Sequence, residues 1–240
     1  MTTRLRAPIA VALDAPDVET AARWAQAVTP HVAVVKVGLE LFCRTGPTVV
    51  ETVRGGSGVD LFLDLKLHDI PNTVAGAIRS ATQAGASLLT IHAGGGPAMM
   101  TAAAEAAQTP GSPRLLAVTV LTSMDATQLA AVGVSSSPAD QVLRLAKLAL
   151  QSGINGMVCS PEEAGILRSE LGSGPLLVIP GIRPAGSDVG DQKRIATPTI
   201  AIERGASMLV VGRPITLATN PAEAAESILR EIEQASGTDR

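Results

Sequence analysis

The chain has 240 residues, 46% of them hydrophobic and 17% charged, which is enough apolar material for one large buried core. With no Tyr, two Phe, one Trp and a formal charge of −3, it lacks both the aromatic platforms and the basic field that nucleic-acid binding requires. An anionic ligand must therefore be met by a local cluster of Arg and Lys.

The first apolar run, Ile9 to Leu13, ends at Asp14. It is too short for a signal segment or a membrane span and reads as a first strand, so a soluble, cytoplasmic protein without a membrane partner is expected. Asp17 is placed to cap a helix over 18–28. A second strand over 32–38 carries Lys36. The third, from Asp60 to Lys66, lies in the most informative stretch of the chain. Its odd-numbered positions through Leu67 are all apolar, while Asp60, Phe62, Asp64 and Lys66 share the other face. Charges on a buried face must be paired or used, because removing them from water is costly. Asp69 and Thr73 follow, at the entry to a helix over 74–84.

A fourth strand over 88–92 ends at His92, read as a structural, hydrogen-bonded residue, and a helix over 97–108 follows. The fifth strand, 115–121, leads into Thr122, Ser123 and Asp125, one of which should cap a helix beginning near Ala126. Strands over 156–160, 176–180 and 208–212 then alternate with helices over 139–151 and 161–171. A last helix covers 221–234, and Gly85, Gly153, Gly172 and Gly205 stand where helices give way to strands. Cys43 and Cys159 have no metal-type spacing and read as buried, reduced thiols.

Eight strand–helix alternations in this length predict an α/β fold, a single-domain (β/α)8 TIM barrel spanning residues 1–240. A doubly wound open sheet permits the same alternation. The strand count favours the barrel, as does the lack of a glycine-rich dinucleotide fingerprint after the first strand. Barrel enzymes place their chemistry at the C-terminal strand ends. Here those ends carry Asp14, Lys36, Asp64 with Lys66 and Asp69, Thr122 with Ser123, Arg183 and Arg213. The loops after strands seven and eight, which contain Pro180-Gly181-Ile182-Arg183 and Val211-Gly212-Arg213, have the make-up of a phosphate grip.

The run Leu63-Asp64-Leu65-Lys66-Leu67-His68-Asp69-Ile70-Pro71-Asn72-Thr73 resembles the signature of the orotidine 5′-phosphate decarboxylases. The resemblance extends through Asp14, Lys36 of Val-Lys-Val-Gly, Thr122-Ser123-Met124, the Pro-Gly-Ile-Arg loop with Gln192, and the closing Val-Gly-Arg. It implies decarboxylation of orotidine 5′-monophosphate to uridine 5′-monophosphate, without metal or organic cofactor. The catalytic set would be Lys66, Asp64, Asp69 and Lys36, with Lys66 as proton donor. Asp14 and Lys36 would bind ribose, Thr122 and Ser123 would face the pyrimidine, and Arg183, Gln192, Gly212 and Arg213 would hold phosphate. Asp69 and Thr73 would reach a neighbouring site across a homodimer interface.

Three rivals stay open at this stage. A Schiff-base aldolase needs a neutral lysine, which acidic neighbours oppose. A magnesium-dependent sugar-phosphate decarboxylase or hexulose-phosphate synthase of the same superfamily would carry an acid where this chain has Lys36. A non-catalytic phosphate-binding barrel leaves the acidic flanks of Lys66 without a purpose.

Overall fold

A computed structural model of the chain describes residues 8–55, 58–184 and 195–235. The first half contains strands β1 (Ile9–Ala12), β2 (Val34–Gly38), β3 (Asp60–Leu67) and β4 (Leu88–His92). The second contains β5 (Arg114–Val118), β6 (Gly156–Val158), β7 (Leu176–Ile179) and β8 (Met208–Val211). Every strand pairs in parallel with its sequence neighbours, and β8 returns to β1, closing the barrel.

Helices cover the outside in chain order. They are α1 (Val18–Val28), α2 (Leu39–Thr45), α3 (Thr48–Arg54), α4 (Pro71–Gln83), α5 (Gly96–Ala106) and α6 (Ala126–Ala131), then α7 (Pro138–Gln151), α8 (Pro161–Leu171), α9 (Pro198–Glu203), α10 (Arg213–Thr216) and α11 (Pro221–Ala235). Asp17 caps α1 by accepting the Thr20 N–H at 2.7 Å. Asp125 closes a capping box with Gln128 at the start of α6. None of the helices is long and apolar enough to cross a membrane, among the described residues.

Two apolar layers follow from the period-two alternation of the strands. Ala10, Val34, Phe62, Leu88, Leu116 and Met208 point inward and fill the barrel. Their strand neighbours, such as Val11, Val35, Leu61 and Leu89, point outward to the helices. Phe62 is 1% exposed at the centre of the plug, a position where truncation to Ala typically costs about 3–5 kcal/mol.

Several elements depart from what the sequence predicts. Strands β1 and β5 stop at Ala12 and Val118, short of the expected ends at 14 and 121, so the polar residues beyond them lie on rim loops. Cys43 is exposed on α2 rather than buried, because that helix turns it away from the core; Cys159 is buried as expected. The alternation along β3 breaks before its end: the pairing with β4 shifts register between Leu63 and Leu67. Such a bulge re-aims the residues it contains.

Candidate active site

Two residues beyond the apolar plug, the inward positions turn polar. Lys36 follows Val34 on β2, Asp64 follows Phe62 on β3, and Thr90 follows Leu88 on β4. Lys36 is buried, and its ammonium lies 3.4 Å from Asp64 Oδ2 and 3.5 Å from Asp14 Oδ1. The Lys66 Nζ donates to Asp64 Oδ1 at 2.9 Å. Asp14, Lys36, Asp64 and Lys66 therefore form one alternating chain of carboxylates and ammonium groups.

Lys66 reaches this position through an unusual backbone. Its φ of +49° makes it the one non-glycine residue with positive φ among those described. A left-handed conformation costs an L-residue about 1–2 kcal/mol, and it persists only where surrounding contacts hold it. Here the Lys66 N–H donates to Thr90 Oγ1 at 2.9 Å, while the Thr90 hydroxyl donates to Asp64 Oδ1 at 3.0 Å. A regular strand would also have put Asp64 and Lys66 on one face; in the bulge they meet by a different backbone route.

The electrostatics of Asp64 follow from this company. Burial alone would raise its carboxyl pKa. The ammonium groups of Lys36 and Lys66, with hydrogen bonds from Lys66 and Thr90, outweigh that effect and hold it below the ordinary value of 3.8. Gly38, where β2 passes into α2, leaves the room that the array needs. A Cβ there would stand 3.0 Å from Asp14 Oδ1 and 3.2 Å from Lys36 Nζ.

A cavity of about 560 Å3 opens above the array at the C-terminal rim. Asp14, Lys36, Asp64 and Lys66 line it together with Thr122, Arg183, Gly212 and Arg213. Val118, Val158, Val178 and Val210 add apolar lining, the last three packed in or against the barrel plug. Arg183 is buried and donates through Nη1 to its neighbour's carbonyl, Ile182 O, at 2.9 Å; Arg213 is exposed at the start of α10. Gly181, with φ +77°, makes the turn that precedes Arg183.

The remaining expected site residues fall elsewhere. Ser123 is exposed and is not among the residues lining the cavity. Asp69 and Thr73 are exposed around the start of α4 and are likewise not among the lining residues; Asp69 Oδ1 accepts the Ile70 N–H at 2.6 Å. Gln192 lies outside the described residues. Thr90 escaped the sequence reading, although a Thr between Leu88 and His92 on the inward face of a strand was its visible signal.

His92 is not held by hydrogen bonds at Nδ1 as the sequence suggests. Among the described residues its Nδ1 is buried without a hydrogen-bond partner, and its ring stacks on His68 with centroids 5.3 Å apart. Stacking holds the ring here, not hydrogen bonding at Nδ1. Burial, then the nearby His68 and Lys66, push its pKa below the ordinary 6.5.

The chain is similar to known proteins over most of its length. The profile of the orotidine 5′-phosphate decarboxylase / HUMPS family matches residues 7–228. An orotidine 5′-phosphate decarboxylase of Thermobifida fusca is 55% identical over 230 residues, which is 96% of this chain and 97% of the relative. That of Anaeromyxobacter dehalogenans is 54% identical over 222 residues, covering 92% and 96%. The crystal structure of orotidine 5′-phosphate decarboxylase from Lactobacillus acidophilus superposes with a TM-score of 0.82 at 40% identity, covering 94% of this chain and 99% of the other. For the enzyme from Pyrococcus horikoshii the TM-score is 0.76 at 28% identity, with coverage of 94% and 99%.

Proposed function

The chain belongs to the orotidine 5′-phosphate decarboxylase / HUMPS family, and on that premise we propose that it converts orotidine 5′-monophosphate to uridine 5′-monophosphate without a cofactor. One observation carries the reading. The ion-paired array Asp14–Lys36–Asp64–Lys66 and the guanidinium pair Arg183 and Arg213 line the same cavity. A nucleotide has the matching polarity, with a phosphate at one end and a carboxylated ring at the other.

The reaction breaks the bond between C6 and the carboxylate carbon and leaves its electron pair on C6. The pyrimidine ring hardly delocalises that pair, so the protein must meet the charge directly. The Lys66 ammonium, paired with Asp64, stabilises the developing carbanion and then gives its proton to C6. Asp64 stands near the departing carboxylate. Two like charges about 4 Å apart repel by roughly 4 kcal/mol at a typical effective dielectric, which favours departure of one of them. Lys36 and Asp14 hold the ribose hydroxyls and complete the array, while Thr122, which lines the cavity, faces the pyrimidine. Arg183, Gly212 and Arg213, with Gln192, take the phosphate.

We assign Asp69 and Thr73 to the neighbouring site of a homodimer. Their exposure, and that of Ile70 at 66%, supports this, because a large apolar side chain beside a functional acid suits a covered surface.

The metal-dependent relatives in the same family are the second reading. Lys36 argues against it, since its ammonium fills the space between Asp14 and Asp64 that a divalent cation would need. Adding orotidine 5′-monophosphate to purified protein and following its ultraviolet absorbance tests the proposal. Turnover at the same rate with and without a strong chelator is expected. No turnover would reject the reading, and turnover lost on chelation would favour the metal-dependent relatives.

A further inference from the structure

Thr90 is completely buried on the inward face of β4, where its neighbours two residues away are Leu88 of the barrel plug and His92 of the stacked pair. A threonine in a buried strand ordinarily needs one hydrogen bond to be satisfied. This one makes two, and both go to the reacting array. Its oxygen accepts the Lys66 N–H at 2.9 Å, and its proton goes to Asp64 Oδ1 at 3.0 Å. That same carboxylate oxygen receives the Lys66 ammonium at 2.9 Å. Backbone amide, side-chain amine, carboxylate and hydroxyl thus close one ring around Lys66.

The position of that ring matters. The β3–β4 ladder breaks between Leu63 and Leu67, and the Thr90 hydroxyl takes up the Lys66 amide within the break. Lys66 carries its left-handed backbone at this point. We infer that Thr90 is a positioning residue for decarboxylation: its hydroxyl fixes the bulged backbone of Lys66 and, at once, the carboxylate that aims the Lys66 ammonium into the cavity. The inference rests on the decarboxylase reading for its catalytic consequence, and on geometry alone for its effect on Asp64.

The two consequences separate by experiment. Thr90→Val keeps the shape and removes the hydroxyl, whereas Thr90→Ser keeps the hydroxyl. With folding checked by thermal melts, Thr90→Val should lower kcat by about 10- to 100-fold with KM changed less than about threefold, as expected for a displaced reacting group. Thr90→Ser should remain within about threefold of wild type in both, because the bonds that set the geometry are kept. Carbon-13 NMR titration of Asp64, assigned with Asp64→Asn, should show its carboxyl moved upward in Thr90→Val and unmoved in Thr90→Ser, since a hydrogen bond to the charged form is lost. Wild-type kcat in Thr90→Val, or equal losses in both variants that track only the folded fraction, would overturn the inference; so would an unmoved Asp64 titration. The titration needs no turnover. Wild-type protein inert toward orotidine 5′-monophosphate would therefore reject the decarboxylase reading, while the titration still decides whether Thr90 braces the array.

Discussion

Lys66 combines a backbone that strands avoid with an ammonium that a carboxylate holds at 2.9 Å. The acid–base pair was legible in the sequence, because Asp64 and Lys66 stand two apart on an otherwise apolar strand. The bulge was not, since a period-two pattern continues unbroken through Leu67 in the sequence while the pairing beneath it slips. The imidazoles beside this pair make a prediction that does not depend on turnover. His92 has a folded pKa below its ordinary 6.5, so the unfolded chain binds a proton that the folded chain refuses. Its contribution to stability is thus complete above pH 6.5 and is lost as pH falls through the lowered folded value. Denaturant unfolding of wild type should show stability declining over that acid window, and His92→Gln should flatten the decline. An equal slope in both proteins would contradict the assignment.

Strong amphipathic periodicity made α1, α7 and α11 readable from the sequence, and their observed bounds agree closely with the expected ones. The short elements α2, α3, α9 and α10 span at most 7 residues each, too few turns for an apolar period to stand out. Caps carried more information than periods at some ends. At α8, Ser160 stands where the sequence pattern suggests a strand end, whereas it is the N-cap, fully buried and closing a capping box with the buried Glu163. The Ser160 N–H donates to Glu163 Oε2 at 2.9 Å, and the two side chains bond to each other. Ser160→Ala should therefore cost about 1–2 kcal/mol in chemical denaturation, at the upper end for a lost cap. An unchanged midpoint and slope would show that the cap adds nothing to the fold.

Across the whole molecule, barrel closure gathers rim residues from positions 14 to 213 around one cavity. Asp14, Lys36, Thr122, Arg183 and Arg213 could be listed as strand-end residues from the sequence, but their sharing of one cavity depends on β8 pairing with β1. Asp69 and Thr73 make the opposite case: they belong to the signature run, yet are exposed and are not among the residues lining their own cavity. A shared site predicts complementation. Lys66→Ala and Asp69→Ala proteins should each be inactive, and mixing them should restore activity, because each heterodimer holds one site with both residues intact. If subunits demonstrably exchange and no activity returns, the two residues serve the same site and the shared arrangement is wrong.

All of these scales meet in the ammonium of Lys66, and turnover of orotidine 5′-monophosphate by Lys66→Ala protein tests its role most directly. Loss of turnover to the background rate is predicted, with product-nucleotide binding through the Arg183 and Arg213 side of the cavity largely retained. Wild-type-like turnover in that variant would contradict Lys66 as the proton donor.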